Sequence, residues 1–205
     1  ARKKIGERVS GDAGAWFKND DGNLFVLLCD GMGSGPDAHR ESTLAIRLLE
    51  KFLRAGVEPE DALRTLNSAL ALRGETEGGF TTIDLFQLDL FTGEAGIYKL
   101  GAAPTYIKRK GLVSRVTGAS FPAGLNGGEN SGPDVARLRL EDGDCAVLVS
   151  DGVTAGEEDG WLKTALAAFD GTDPKGLAGL IMEESARREG ATDDRTAVVL
   201  AVKRR

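Results

Sequence analysis

The chain has 205 residues, 41% of them apolar and 28% charged, and a formal net charge of −6. These values exclude a disordered or low-complexity polymer and suit one domain, 1–205, with a substantial core. The acidic balance argues against a general nucleic-acid binder, and every apolar run falls short of the ~20 residues that cross a bilayer. A cytoplasmic domain with no membrane contact of its own is therefore expected, excised from a longer parent that is free to carry an anchor elsewhere.

Basic clusters at residues 2–4, 108–110 and 203–205 read as solvated surface. Cys29 and Cys145 both lie inside apolar runs. They read as small buried hydrophobes of a reducing compartment rather than as a disulfide.

In chain order, the segments 13–18 and 24–29 flank the turn signal Asn19-Asp20-Asp21-Gly22-Asn23. That pattern predicts a hairpin with Asp12 opposite Asp30. Pro36 and Asp37 open a helix whose apolar stripe is Leu44, Leu48, Leu49, Phe52 and Leu53, with Gly56 to end it. A second helix starts at Pro59, buries Leu63, Leu66 and Leu70, and stops near Gly74. Strands are predicted at 80–90, 96–100, 105–109 and 112–116, followed by a glycine- and proline-rich loop over 119–134. Further strands fall at 136–140 and 145–150. Trp161 to Phe169 marks a third helix, and Asp173-Pro174 opens a fourth that buries Leu177, Leu180 and Ile181 and ends at Gly190. A last strand covers 196–202. This order is too irregular for a doubly wound parallel sheet. It fits an α+β fold of two mainly antiparallel sheets covered by helix layers.

The stretch LFVLLCDGMGSG at 24–35 is an apolar strand that stops on Asp30-Gly31, and CAVLVSDG at 145–152 repeats the pattern with Asp151-Gly152. A third acidic pair, Asp193-Asp194, stands just before the last strand. If that strand runs antiparallel to the other two, its start lies at their C-terminal end. Asp12, Asp30, Asp151 and either Asp193 or Asp194 then converge on one sheet edge. One Asp-Gly at a strand end is ordinary turn chemistry; the matched set is not. Crowded carboxylates repel, and burial raises the cost, so protonation or a divalent cation is required. Hard oxygen donors without a His or Cys neighbour favour Mg²⁺ or Mn²⁺ over zinc. Gly31 and Gly152 are expected to let backbone approach the ions and to offer a carbonyl ligand.

Other chemistries are weaker. Gly31-Met32-Gly33-Ser34-Gly35-Pro36 fails the dinucleotide fingerprint at Pro36 and lacks the lysine of a P-loop. His39 is the only histidine; it reads as a solvated helix residue, with proton donation as the alternative. Ser42, Ser68 and Ser150 have no histidine base at a suitable spacing, which disfavours a Ser-His-Asp hydrolase. Trp16 and Trp161 are assigned to the core.

Together, Val9-Ser10-Gly11-Asp12, Cys29-Asp30-Gly31-Met32-Gly33, Ser150-Asp151-Gly152 and Asp193-Asp194-Arg195-Thr196 resemble the metal-dependent protein phosphatases of the PPM superfamily, in particular its bacterial sporulation branch. Ala38-His39-Arg40-Glu41-Ser42, Leu70-Ala71-Leu72-Arg73, Thr82-Ile83-Asp84-Leu85, Tyr106-Ile107-Lys108-Arg109 and Phe121-Pro122-Ala123-Gly124 extend the similarity over nearly the whole chain. The resemblance implies a four-layer α-β-β-α sandwich with two ions, Mn²⁺ or Mg²⁺, at the sheet edge. By motif, Asp30 bridges both ions, Asp12 and the Gly31 carbonyl complete one site, and Asp151 with Asp193 completes the other. Asp193 is preferred to Asp194 because the family ligand precedes the threonine by three positions. An ion-activated water then attacks phosphorus in line, with no covalent enzyme intermediate. Met32 departs from the eukaryotic pattern, in which a histidine is proposed as general acid, so leaving-group protonation passes to water or to His39. Arg8, four residues before Asp12, is a candidate for holding the substrate phosphate.

The implied reaction is hydrolysis of phosphoserine on an anti-sigma-factor antagonist, in sporulation sigma-factor control. In the bacterial relatives the two helices after the first Asp-Gly act as a switch on metal-site assembly; here they are 37–55 and 59–72, which are also the expected surface of a homodimer. The alternatives are a non-catalytic phosphoprotein-binding or scaffold module of the same fold, and a hydrolase of small phosphate esters.

Overall fold

Antiparallel pairing between neighbours in the sequence accounts for most of the architecture. The computed structural model describes residues 1–77, 79–125, 132–154, 159–190 and 192–204. Within them, strands β1 (Asp12–Lys18), β2 (Asn23–Gly31), β3 (Thr81–Asp89), β4 (Glu94–Leu100) and β7 (Asp134–Arg139) form one sheet in the order β1-β2-β3-β4-β7. Strands β5 (Thr105–Arg109), β6 (Leu112–Val116), β8 (Cys145–Val149) and β9 (Ala197–Ala201) form a second, ordered β6-β5-β8-β9. Every pairing is antiparallel.

Helices α1 (Gly35–Arg54) and α2 (Pro59–Glu77) connect β2 to β3, and α3 (Gly160–Ala168) and α4 (Pro174–Glu189) connect β8 to β9. Three apolar clusters separate the layers. Leu27, Leu49, Leu63 and Leu85 fill the space between α1, α2 and the first sheet. Val26, Leu28, Phe86, Ile97 and Leu148 fill the space between the sheets. Tyr106, Val147, Leu162 and Ile181 sit under α3 and α4. The result is the four-layer α-β-β-α sandwich expected of an α+β chain. No helix among the described residues is long and apolar enough to cross a membrane.

Local chemistry explains the element ends. Asn19 Oδ1 accepts from the Asn23 amide at 2.9 Å and closes the first hairpin. Asp173 caps α4, accepting from the Gly176 amide at 2.8 Å with Pro174 behind it.

Several expectations need correction. The α1 face against the sheet is built from Ala38, Ser42, Ala45, Ile46, Leu49 and Leu53, while Leu44, Leu48 and Phe52 are only half-buried. Small residues win that face because they let the helix axis approach the sheet. Helix α2 passes Gly74 and runs to Glu77. Leu180 points outward, 46% exposed, and Trp16 is 72% exposed on the edge strand β1. The predicted loop over 119–134 is pinned by an antiparallel bridge between Thr81 and Ala123; its residues 126–131 lie outside the described residues, as do Ala191 and Arg205. The basic clusters are not all decoration. Lys108 donates to the Phe169 carbonyl, Arg109 grips Asp144 at 2.8 Å, and Arg2 pairs its backbone with Arg195. Both cysteines are buried and free, and burial pushes each thiol up, Cys145 to about 11.

Truncating Leu49 to alanine should cost about 2–5 kcal/mol of unfolding free energy in urea titrations, whereas Leu180→Ala should stay within about 0.5 kcal/mol. Equal effects would contradict the packing described for α1 and α4.

Candidate metal centre

The β1–β2 hairpin sets Asp12 directly opposite Asp30, both at the same sheet edge. β8 ends one residue before Ser150, and Asp151 opens a short 3-10 turn, 151–153, that the sequence pattern did not indicate. β9 runs antiparallel to β8 with Ala197 opposite Val149, so Asp193 and Asp194 arrive at that end too. Four remote segments thus meet at one edge of the sandwich.

The carboxylates differ in how they are held. Asp12 is buried; its Oδ2 accepts from Ser150 Oγ and Thr196 Oγ1, both at 2.7 Å, while its Oδ1 is buried with no hydrogen-bond partner among the described residues. The Thr196 amide donates in turn to Ser150 Oγ at 2.8 Å. Ser150 is therefore an orienting hydroxyl, a role that its lack of a histidine partner allowed but did not reveal. Asp194 is also buried, and both its oxygens are engaged: Oδ1 accepts from the Lys4 amide at 2.7 Å and Oδ2 from the Gly11 amide at 2.6 Å. It stitches the N-terminal segment to the turn before β9. Asp193 is exposed, and its Oδ1 accepts from the Asp194 amide at 2.8 Å.

Electrostatics ties Asp30 to the others. Burial, and then repulsion from Asp12, Asp151 and Asp193, pushes its carboxyl up to about 9. Burial raises Asp12 to about 6, with the hydroxyl donors of Thr196 and Ser150 opposing. Burial and Asp193 raise Asp151, which shares a side-chain hydrogen bond with Asp30. Burial and proximity make simultaneous ionisation of Asp30 and Asp151 unfavourable in the absence of ions. No three His, Cys, Asp or Glu side chains among the described residues form a ready-made cation cage. The donor set nevertheless fits a hard divalent cation: all oxygen, mutually repelling, with a buried orphan oxygen on Asp12.

The glycines have a reason other than ion access. A Cβ on Gly31 would overlap the Ala38 carbonyl of α1, and one on Gly152 would overlap the Asp194 carbonyl. Backbone from another segment packs on each. Arg8 is exposed and makes no hydrogen bond or ion pair among the described residues. His39 is exposed, with Nδ1 2.9 Å from the Ser10 carbonyl, which fixes the proton on that nitrogen. Met32 is exposed beside Asp30-Gly31.

Fold and sheet-edge carboxylates together define a PP2C-type phosphatase domain. Residues 20–203 match the family model described as "Stage II sporulation protein E (SpoIIE)", and the chain belongs to that family. It is 34% identical over 206 residues to stage II sporulation protein E of Bacillus subtilis (strain 168), covering 97% of this chain and 24% of the relative. Identity to the Priestia megaterium protein is 33% over 204 residues, covering 97% of this chain and 34% of the relative. The chain thus spans between a quarter and about a third of the length of these relatives. Among solved structures, the PP2C phosphatase domain of SpoIIE from Bacillus subtilis, with a fragment of its regulatory domain, superposes with a TM-score of 0.86 at 33% identity, over 98% of this chain and 60% of that one. RsbX in complex with magnesium shares the fold, with a TM-score of 0.73 at 17% identity, over 97% of this chain and 90% of that one.

The raised carboxyls carry a pH signature. Asp12 and Asp30 hold protons in the folded, ion-free chain that the unfolded chain releases near 3.8. Their contribution to stability is complete below that pH and is lost as pH rises through about 6 and then about 9. The melting temperature of chelator-treated protein should fall over this window. Asp30→Asn should flatten the fall, gaining about 2–4 °C at the alkaline end for each ~1 kcal/mol of repulsion removed. A melting temperature independent of pH in the parent would contradict the crowding.

Proposed function

We infer that this domain hydrolyses phosphoserine on a protein substrate, and that the substrate is an anti-sigma-factor antagonist of the kind that controls sporulation sigma factors. The observation that carries the reading is the convergence of Asp12 and Asp30, cross-strand partners, with Asp151 and Asp193 from separate segments at one sheet edge. Membership in the SpoIIE family supports the substrate class.

Asp30, Asp12 and the Gly31 carbonyl would hold one Mn²⁺ or Mg²⁺ ion, and Asp30 with Asp151 and Asp193 a second. When bound, such ions supply charge neutralisation at the phosphoryl group and a nucleophilic water at neutral pH. The protein's own part is orientation. Ser150 and Thr196 occupy Asp12 Oδ2 and leave Oδ1 for a ligand role. Asp194, with both oxygens taken by backbone amides, is assigned as structural and Asp193 as the ligand. Arg8 is assigned to the substrate phosphate, where a guanidinium matches the oxygens in pairs. Met32 cannot donate a proton and His39 holds the Ser10 carbonyl through Nδ1, so leaving-group protonation is assigned to water, with His39 Nε2 as the alternative donor.

Three variants test the assignment. Asp151→Asn should lower turnover of a phosphorylated anti-sigma-factor antagonist on the order of a thousandfold, about 4 kcal/mol of barrier. Hydrolysis that survives this change and chelator would refute the metal reading; partner binding without hydrolysis in the parent would favour a scaffold module. Asp193→Asn should weaken Mn²⁺ binding about tenfold or more in calorimetry while leaving stability within about 0.5 kcal/mol. Asp194→Ala should instead cost about 1–3 kcal/mol of stability, because it strands the Lys4 and Gly11 amides. The opposite pattern would exchange the two roles. A higher kcat/KM for p-nitrophenyl phosphate than for the phosphoprotein would point to small esters.

A further inference from the structure

Beneath the carboxylate edge, between the two sheets, lies a charged group that catalysis as assigned does not use. Asp84 on β3 and Lys99 on β4 are cross-strand partners, each 1% exposed. Lys99 Nζ donates to Asp84 Oδ2 at 2.8 Å and to the Ala103 carbonyl at 2.6 Å. Thr105 Oγ1, from β5 of the facing sheet, donates to the same Oδ2 at 2.5 Å. Burial pushes the Asp84 carboxyl up and the Lys99 ammonium down, and their mutual attraction opposes both shifts. An ion pair taken this far from water is seldom a net source of stability, since desolvation offsets the attraction. Stability alone therefore does not explain why it stands here.

Its other oxygen points to a role. Asp84 Oδ1 is buried and has no hydrogen-bond partner among the described residues. Asp84 lines a cavity of about 30 Å³ together with Leu28, Asp30, Thr82, Ser150 and Asp151. A water needs roughly 10–15 Å³ of such space and between two and four polar neighbours, so one or two fit. Register supplies the geometry. Asp30 is opposite Thr82 and Leu28 is opposite Asp84, which makes Asp30 and Asp84 diagonal neighbours on one face of the sheet. The backbones of diagonal neighbours stand ~7–8 Å apart, a spacing that two carboxyl groups and one water between them can fill. A cation is the poorer occupant, because the Lys99 ammonium already neutralises Asp84 and would repel it.

We propose that Asp84 binds an internal water in this cavity and through it sets the orientation of the Asp30 carboxylate. The water donates one hydrogen to Asp84 Oδ1 and the other to Asp30. Lys99 and Thr105 hold Asp84 in place, and Asp84 is a positioning residue for the carboxylate centre. The functional consequence rests on Asp30 being a metal ligand; the water site does not.

Two double variants that remove the buried charge separate positioning from packing. Asp84→Asn with Lys99→Met keeps an oxygen that can face the cavity, whereas Asp84→Leu with Lys99→Met does not. With both folded, as judged by circular dichroism and thermal melting, the first should bind Mn²⁺ within about threefold of the parent in calorimetry. The second should bind about tenfold or more weakly and lose kcat more than it raises KM for p-nitrophenyl phosphate. Equal Mn²⁺ affinity in the two variants, whether parental or reduced, would overturn the positioning role. A high-resolution crystal structure of the parent should contain a water bridging Asp84 Oδ1 and Asp30, and its absence would overturn the site. That crystallographic result decides the matter alone if the variants do not fold, or if the parent binds no Mn²⁺, in which case the proposed function has failed separately.

Discussion

Like charges set directly across an antiparallel pair repel, yet the β1–β2 register forces Asp12 against Asp30 at the edge of the sheet. The rest of the site can be understood as the management of that repulsion. Neutral hydroxyl donors from Ser150 and Thr196 stabilise charge on Asp12, while burial and the neighbouring carboxylates push the Asp30 carboxyl further up. An arrangement that is strained when every carboxylate is ionised gains most from a cation, and gains it only where the strain lies. The crowding that costs stability is what a bound cation would relieve.

Two aspartates adjacent in the sequence illustrate how such a site is partitioned. Asp194 gives both oxygens to backbone amides and is buried, so its task is to join the N-terminal segment to the turn before β9. Asp193 turns outward and adds its field to Asp30 and Asp151. The buried residue builds the frame and the exposed one stays available, a division that follows from hydrogen-bond supply alone.

Much of this was legible in the residues. The turn at Asn19–Asn23 fixed the register of the hairpin, and the apolar runs ending on Asp-Gly located two strand ends correctly, because both signals are local. The reading failed where distant parts decide. Trp16 looks like core by type, but it stands exposed on an edge strand, and no local pattern encodes which strand ends up at the edge of its sheet. The α1 stripe was misplaced for a related reason: Ala38, Ser42 and Ala45 face the sheet because close approach matters more there than side-chain size. The part of Ser150 in holding Asp12 depends on a partner 138 residues away, as does that of Asp194 on an amide 183 residues away, and spacing gives no hint of either.

Close approach also couples the first helix to the chemistry. The Ala38 backbone leaves no room for a side chain at Gly31, and the Ala38 methyl packs tightly against Gly11, so one residue of α1 rests on the residues that precede Asp12 and follow Asp30. The Ser10 carbonyl is held from the same turn of α1 by His39. Both flanks of the Asp12–Asp30 pair therefore touch one helical turn. Close-packed interiors deform poorly and tend to switch between discrete packings. A carboxylate pair clamped in this way has a geometry that is a property of the helix–sheet contact as much as of the hairpin that carries it.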